Sequence, residues 1–331
     1  MLLPHVARIP APGQDIGGHV DMNHTDEASK RVWRRCPLCG IEGGEFQFDK
    51  GRLRVVRCSC CGMVFANPVE AQFIRGSFYR DTAVPFYLSA DKLESDYAPV
   101  RFARELRLFR RFCRAGAVLD VGCSTGGFLH QLSLRFPADY HVLETDVAGP
   151  ALDYAESRGV AVVRAPFLEH DFGGQCFDAI TFWAVLEHLS EPRPFLSKAA
   201  KLLKVDGHCF LLVPNLRSLA VRLLGRRYRY FMPEHLNYFT AHTLQRLVTR
   251  ESALALVALR STHFNPIVLW QDWHRNTESV PEAERARLLR RTTAWKQKAL
   301  LAPMKLLYGA LERCLGQWRL ADNLVVVLRR S

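Results

Sequence analysis

The stretch Val118-Leu119-Asp120-Val121-Gly122-Cys123-Ser124-Thr125-Gly126-Gly127-Phe128-Leu129 constrains this chain more than any other. An apolar run ends on an acid, turns through glycines and opens an amphipathic segment from Phe128 to Leu134. That pattern predicts a strand, a tight loop and a helix start, the ligand-binding corner of a doubly wound α/β domain. A dinucleotide loop has the spacing G-x-G-x-x-G, which lets backbone amides reach a pyrophosphate. Here the spacing is G-x-x-x-G-G, with an acid two residues before the first glycine. A loop with an acid at its mouth suits a cationic ligand without phosphate. Gly122-Cys123-Ser124-Thr125-Gly126 also fits G-x-S-x-G, the elbow in which Ser124 would be a nucleophile. A plain glycine turn holding no ligand is the third reading.

The segments beyond the loop continue the α/β pattern. His141-Val142-Leu143-Glu144-Thr145-Asp146 reads as a second strand ending in acids, and such folds hold a ribose diol at that tip. Val160 to Val163, Phe177 to Trp183 and Gly207 to Asn215 read as the third to fifth strands. A sixth is expected around Ala255 to Leu259, and a last at Asn323 to Leu328. Upstream, apolar residues at 102, 106, 109 and 112 predict a helix over 101–113 that packs on the sheet.

The loop resembles motif I of the class I S-adenosylmethionine-dependent methyltransferases, whose usual form is D-x-G-x-G-x-G. Ser124 replaces the middle glycine, a change expected to cost little if φ stays negative there. Ala184-Val185-Leu186-Glu187-His188-Leu189 is closely similar to the family's "vLEHl" signature, and Pro233 to Thr240 is similar to another of its recurrent segments. The resemblance covers about 120 to 240. It implies a Rossmann-like seven-stranded sheet with an antiparallel last strand, and S-adenosylmethionine as cofactor. Counting back from the helix-spaced Ala151, Leu152 and Ala155 puts Asp146, rather than Glu144, at the ribose. The cofactor residues so implied are Asp120, Gly122, Cys123, Ser124, Gly126, Asp146, Phe167 and Trp183, with Phe167 where the family packs adenine. Methyl transfer needs alignment and at most one base, for which the candidates are His235, then His188 and Glu187. The last two have alternatives: shaping the methionine pocket, binding a metal, or a structural role at a helix start.

Cys36-Pro37-Leu38-Cys39-Gly40 and Cys58-Ser59-Cys60-Cys61-Gly62 form two C-x-x-C-G knuckles around short strands expected at Glu45 to Phe48 and Leu53 to Arg57. Cys36, Cys39, Cys58 and Cys61 satisfy tetrahedral zinc in a closed, structural site, with Cys60 beside it. Disulfides or unrelated thiols are the alternative. No signal peptide is recognised before them, which with scattered thiols at Cys113, Cys123, Cys176, Cys209 and Cys314 points to a reducing cytoplasm.

The organisation expected is a disordered arm at 1–35, a zinc ribbon at 36–66 and a connector with a helix at 67–115. The methyltransferase core follows at 116–262, then a helical insertion and the last strand at 263–331. Asn67-Pro68 through Phe78-Tyr79-Arg80-Asp81 resembles the segment after the ribbon in a set of bacterial methyltransferases. From Trp295 to Leu311 one amphipathic helix is expected, kinked at Pro303. The formal net charge of +12 calls for an anionic partner or surface. Arg217, Arg222, Arg226, Arg227 and Arg229 are read as a phosphate-recognising lip over the cleft, or as solvated helix faces. The expected acceptor is an anionic small molecule, sugar or lipid-linked glycan, with peripheral contact at the inner membrane face. An rRNA methyltransferase is the competing enzyme, although its second knuckle typically ends in His. A scaffold that recruits partners through the ribbon is the non-enzymatic reading.

Overall fold

The computed structural model describes residues 25–26, 31–251, 253–274, 280–297 and 302–331. Most of the expected N-terminal arm lies outside these residues. Two short strands, β1 (Thr25–Asp26) and β2 (Arg31–Val32), begin the described chain. Strands β3 (Glu45–Lys50), β4 (Leu53–Arg57) and β5 (Val64–Ala66) carry the knuckles, and β6 (Val69–Glu70) pairs back onto β2.

The connector is helical: α1 (Ala71–Ile74), a π-helical turn over Phe78–Thr82, α2 (Val84–Tyr87), α3 (Ala90–Asp96) and α4 (Ala103–Phe112). Then the strands β7 (Gly116–Val121), β8 (Tyr140–Thr145), β9 (Ala161–Val163), β10 (Phe177–Trp183) and β11 (Leu203–Pro214) follow. Between them run α5 (Gly127–Arg135), α6 (Gly149–Ser157) and α7 (Pro192–Leu202). After α8 (Leu219–Leu224), β12 (Asn237–Tyr238) and α9 (Ala241–Val248) come β13 (Leu254–Thr262), α10 (Pro266–His274), α11 (Glu282–Gln297), α12 (Ala302–Gln317) and β14 (Asn323–Arg330).

The main sheet has seven strands in the order β13-β14-β11-β10-β7-β8-β9. Pairing is parallel from β11 to β9, whereas β14 is antiparallel to both β11 and β13, the expected reversed last strand. Leu324 to Leu328 are buried without alternation, because helices cover both faces of the sheet. On one face Phe109 of α4 packs against Phe128, Tyr140 and Phe210, at ring separations of 5.6, 5.7 and 4.9 Å. Strand order reverses between β7 and β10, which opens a crevice at their carboxyl ends.

The cysteine-bearing segment packs into this core. Strand β12, from the Pro233 to Thr240 segment, pairs with β5 and completes a four-stranded sheet, β12-β5-β4-β3. Cys36, Leu38, Met63 and Phe65 share one buried cluster with Phe239, Leu244 and Leu247. Arg34 donates to the carbonyls of Leu236 at 3.1 Å and Ser190 at 2.7 Å, and Arg250 donates to the Leu38 carbonyl at 2.6 Å.

The single kinked helix expected from Trp295 to Leu311 is two helices, α11 and α12, ending on either side of residues outside the description. Pro303 occupies the second position of α12, where its missing N–H has no intrahelical partner to lose. Among the described residues no helix is long and apolar enough to cross a membrane.

Candidate functional site

The loop after β7 turns on two glycines that tolerate no side chain. Gly122 has φ +72°, and an added Cβ would lie 2.7 Å from Val185 Cγ2. Gly126 has φ +71°, and its added Cβ would meet Glu144 Oε2 at 2.5 Å. Ser124 departs from expectation, with φ +56° rather than a negative value. The left-handed region costs an L-residue roughly 1–2 kcal/mol, so the replacement of glycine is not conformationally neutral. The loop holds it there because Ser124 N donates to Asp146 Oδ2 at 2.7 Å. Ser124 Oγ is buried with no hydrogen-bond partner, so no base reaches it as a hydrolase elbow would require.

The two acids of the second strand separate. Asp146, just past β8, also accepts from Ala148 N at 2.9 Å and faces a cavity of about 1220 Å³. Glu144 is fully buried beneath the loop, both carboxylate oxygens lack partners, and burial pushes its pKa up to about 9. Asp120 also lies on the cavity wall. Burial raises it to about 7, against the pull of a 2.5 Å hydrogen bond from Thr181 Oγ1. Cys123 and Trp183 line the cavity, the latter with its indole N–H buried and unpaired. Phe167 lines it too, but its ring is buried in the core, 5.7 Å from Phe195 and 5.9 Å from Phe182.

The same cavity is lined by Glu187, His188 and His235. The Glu187 carbonyl accepts from Leu236 N at 2.7 Å and Asn237 N at 3.0 Å, which ties the turn after β10 to the segment before β12. The His188 and His235 rings meet edge to face at 4.7 Å, and His235 stacks on Tyr230 at 6.0 Å. His188 Nδ1 donates to the Glu234 carbonyl at 2.8 Å, with the Tyr79 hydroxyl 2.9 Å from the same nitrogen. His235 Nδ1 and Glu187 Oε2 have no partner. Burial lowers both imidazoles, His235 well below the usual range with His188 adding to it, so both are neutral near pH 7. Burial raises Glu187 to about 8. Ligand atoms of the three lie within 4.8 Å of one another, a donor set able to take a proton or a divalent cation.

Sequence reasoning missed several residues on this wall. Tyr79 comes from the π-helical turn of the connector, and Arg285 of α11 holds Glu234 at 2.9 Å. Farther along, Glu105 Oε1 lies 2.5 Å from His263 Nε2. The aromatic pair at 78–79 was visible in the sequence, but nothing local linked it to His188.

The expected phosphate lip is not built as read. Arg229 is buried and bidentate on Asp272, with Nη2–Oδ1 at 2.6 Å and Nε–Oδ2 at 3.1 Å. Arg217, Arg222 and Arg226 are exposed and off the cavity wall, and Arg227 donates to the Trp273 carbonyl.

The four knuckle thiols converge. Cys36 Sγ is 3.4 Å from Cys61 Sγ, and Cys39 Sγ is 3.5 Å from Cys58 Sγ. Disulfide sulfurs stand at about 2.0 Å, whereas thiolates on tetrahedral zinc at about 2.3 Å stand about 3.8 Å apart. The set therefore fits a metal and not two disulfides. Cys60 is exposed, outside the four.

A pH dependence follows from the buried acids. Asp120 and Asp322 at about 7, Glu187 at about 8 and Glu144 at about 9 keep protons in the folded state that the unfolded chain gives up near pH 4. Their contribution is full below about pH 4 and is lost as pH rises through about 7 to 9. Thermal unfolding should come at lower temperature at about pH 9 than at about pH 6, and Glu144→Gln should flatten that slope. An equal slope in the variant would remove Glu144 as a source.

Fold and corner together define a class I methyltransferase architecture. Residues 96–258 match the family model described as "Methyltransferase domain", and the chain carries a domain of that class. Among curated proteins it is similar to the ubiquinone biosynthesis O-methyltransferase of Yersinia enterocolitica, 30% identical over 158 residues, 41% of this chain and 61% of that protein. The corresponding protein of Vibrio cholerae is 27% identical over 201 residues, 53% of this chain and 77% of the relative. The chain thus spans about three fifths of the Yersinia protein's length. Among solved structures it is similar to the N-methyltransferase NodS of Bradyrhizobium japonicum in complex with S-adenosyl-L-homocysteine. There the identity is 16%, with 76% of this chain and 98% of that one covered at a TM-score of 0.45. A methyltransferase of Archaeoglobus fulgidus gives 17%, 74%, 97% and 0.46.

Proposed function

We propose that this protein is an S-adenosylmethionine-dependent methyltransferase acting on a small-molecule, sugar or lipid-linked glycan acceptor. One observation carries the reading: the glycine loop with Asp120 and Asp146 shares a single cavity with Glu187, His188 and His235. At about 1220 Å³ that cavity exceeds the roughly 300–1,000 Å³ of an ordinary ligand site, leaving room for two ligands. Bound S-adenosylmethionine supplies an electrophilic methyl group. Asp146 receives the ribose hydroxyls, while the Gly122 to Gly126 turn lets the backbone approach. Trp183, Phe167 and Cys123 complete that wall. His235, neutral and with a bare nitrogen, takes the acceptor proton, and His188 and Glu187 stand beside it. Aromatic walls from Phe78, Phe86, Phe102 and Tyr230 favour an acceptor with apolar surface. Cys36, Cys39, Cys58 and Cys61 hold a structural zinc, and the protein works on the cytoplasmic side, where such thiolates stay reduced.

Labelled S-adenosylmethionine incubated with fractionated extract tests the acceptor. Label in small-molecule or glycolipid fractions is the expected result, and label in RNA would install the competing enzyme. Cofactor binding without any incorporation would favour the scaffold. Within the cofactor site, Asp146→Ala should weaken binding by about 1.5–3 kcal/mol, the worth of charge-assisted hydrogen bonds. Glu144→Ala should act mainly on stability, since Glu144 lies beneath the loop. Calorimetry showing the reverse order would overturn the assignment of Asp146.

A further inference from the structure

Helix α10 turns apolar side chains outward as well as inward. Val268 and Asp272 are buried on its inner side. Ile267, Trp270 and Trp273 are 43%, 64% and 52% exposed, and at about 100° per residue they fall in one stripe. Helix α8 packs beside α10 and adds Leu223, 50% exposed. Two indoles and two branched aliphatics on adjoining helices make an apolar patch that a solvated surface does not need.

We propose that this face docks the protein on an anionic lipid bilayer. The charge around the patch selects that occupant. Across 215–231 and 264–274 there are five arginines and one acid, and the acid, Asp272, is buried against Arg229. Arg222 and Arg226 are exposed beside Leu223, so the patch presents indoles with cationic neighbours. Tryptophan suits the headgroup boundary because its ring is apolar and its N–H polar. Arginines near an anionic leaflet add electrostatic attraction. A second copy of this chain fits poorly, since a two-fold contact would set the same arginines against one another. A nucleic acid would use the arginines but leave the aliphatic stripe in water. The stripe also reaches the cavity: Ile267 lines its wall while staying exposed, as Leu311 of α12 does. Docking there brings the cavity mouth to the lipid surface, a direct path for an acceptor with a hydrocarbon tail.

The proposal is separable from methyl transfer, because vesicle binding requires neither cofactor nor acceptor. The test uses the full chain with vesicles of phosphatidylcholine alone, and of phosphatidylcholine with phosphatidylglycerol. Co-sedimentation should occur on the anionic vesicles and reverse at high salt. Lipids brominated in the acyl chains should quench tryptophan fluorescence, and Trp270→Gln with Trp273→Gln should lose that quenching and roughly tenfold or more in vesicle affinity. Arg222→Gln with Arg226→Gln should lose the preference for anionic lipid. S-adenosylmethionine affinity should be unchanged in both double variants, showing that they fold. No vesicle binding by the parent chain would overturn the proposal. So would binding that survives the tryptophan substitutions, or self-association that those substitutions abolish without any vesicle binding.

Discussion

Replacing His235 with alanine is expected to lower kcat by about 10²–10⁴-fold on whichever acceptor takes up label, the range for loss of a positioned base. S-adenosylmethionine affinity should change far less, because the glycine loop and Asp146, rather than His235, are assigned the cofactor contacts. The effect is assigned to His235 over His188 by their partners. His188 has its Nδ1 committed to the Glu234 carbonyl, with Tyr79 beside it. His235 keeps Nδ1 unpaired, stacks on Tyr230 and is lowered well below the usual histidine range by burial and then by His188. A neutral imidazole can accept a proton without first losing one. Substitution at Tyr79 acts one step back: Tyr79→Phe should shift the pH profile of kcat through His188, with a smaller loss. Steady-state kinetics with calorimetric cofactor binding distinguish these roles. An unchanged kcat in His235→Ala with a large loss in His188→Ala would exchange their assignments.

What could be read from the chain beforehand divides by the range of the forces involved. Strand tips and the loop were legible because the relevant signals are local: an apolar run, an acid, and glycines whose positive φ leaves no other residue comfortable. The reversed last strand came from resemblance, and Asn323 to Leu328 was legible as a strand from its apolar run. Ser124 was misread because its conformation is set by Asp146, 22 residues away at the end of β8. Arg229 was misread because Asp272, 43 residues away, neutralises it in the interior. The helix through 295–311 was read as one because its apolar stripe continues from α11 into α12, and Pro303 was taken for a kink when it stands in the first turn of α12. Tyr79 meets His188 across 109 residues, and no periodicity encodes such a meeting.

The same long-range packing sets the largest expected effect on the molecule as a whole, release of the metal. One zinc per chain is expected, and Cys36→Ser or Cys61→Ser should remove it. Structural zinc contributes on the order of 10–16 kcal/mol of apparent binding free energy in small finger peptides, comparable to a domain's whole margin of about 5–15 kcal/mol. Here the loss should not stay local. Met63 and Phe65 beside the knuckle share a core with Phe239 and Leu244, and β5 pairs with β12 two residues after His235. Arg34, two residues before Cys36, holds the Leu236 carbonyl. Metal loss should therefore loosen the Leu236 to Phe239 segment and disturb the base with it. Elemental analysis should show zinc absent from Cys36→Ser and retained in Cys60→Ser. Limited proteolysis should cut the former near 36–66, and its acceptor turnover should fall further than its S-adenosylmethionine affinity. A folded parent protein free of metal would remove the zinc assignment. Zinc loss with turnover intact would instead mean that the ribbon and the base are uncoupled, despite the sheet they share.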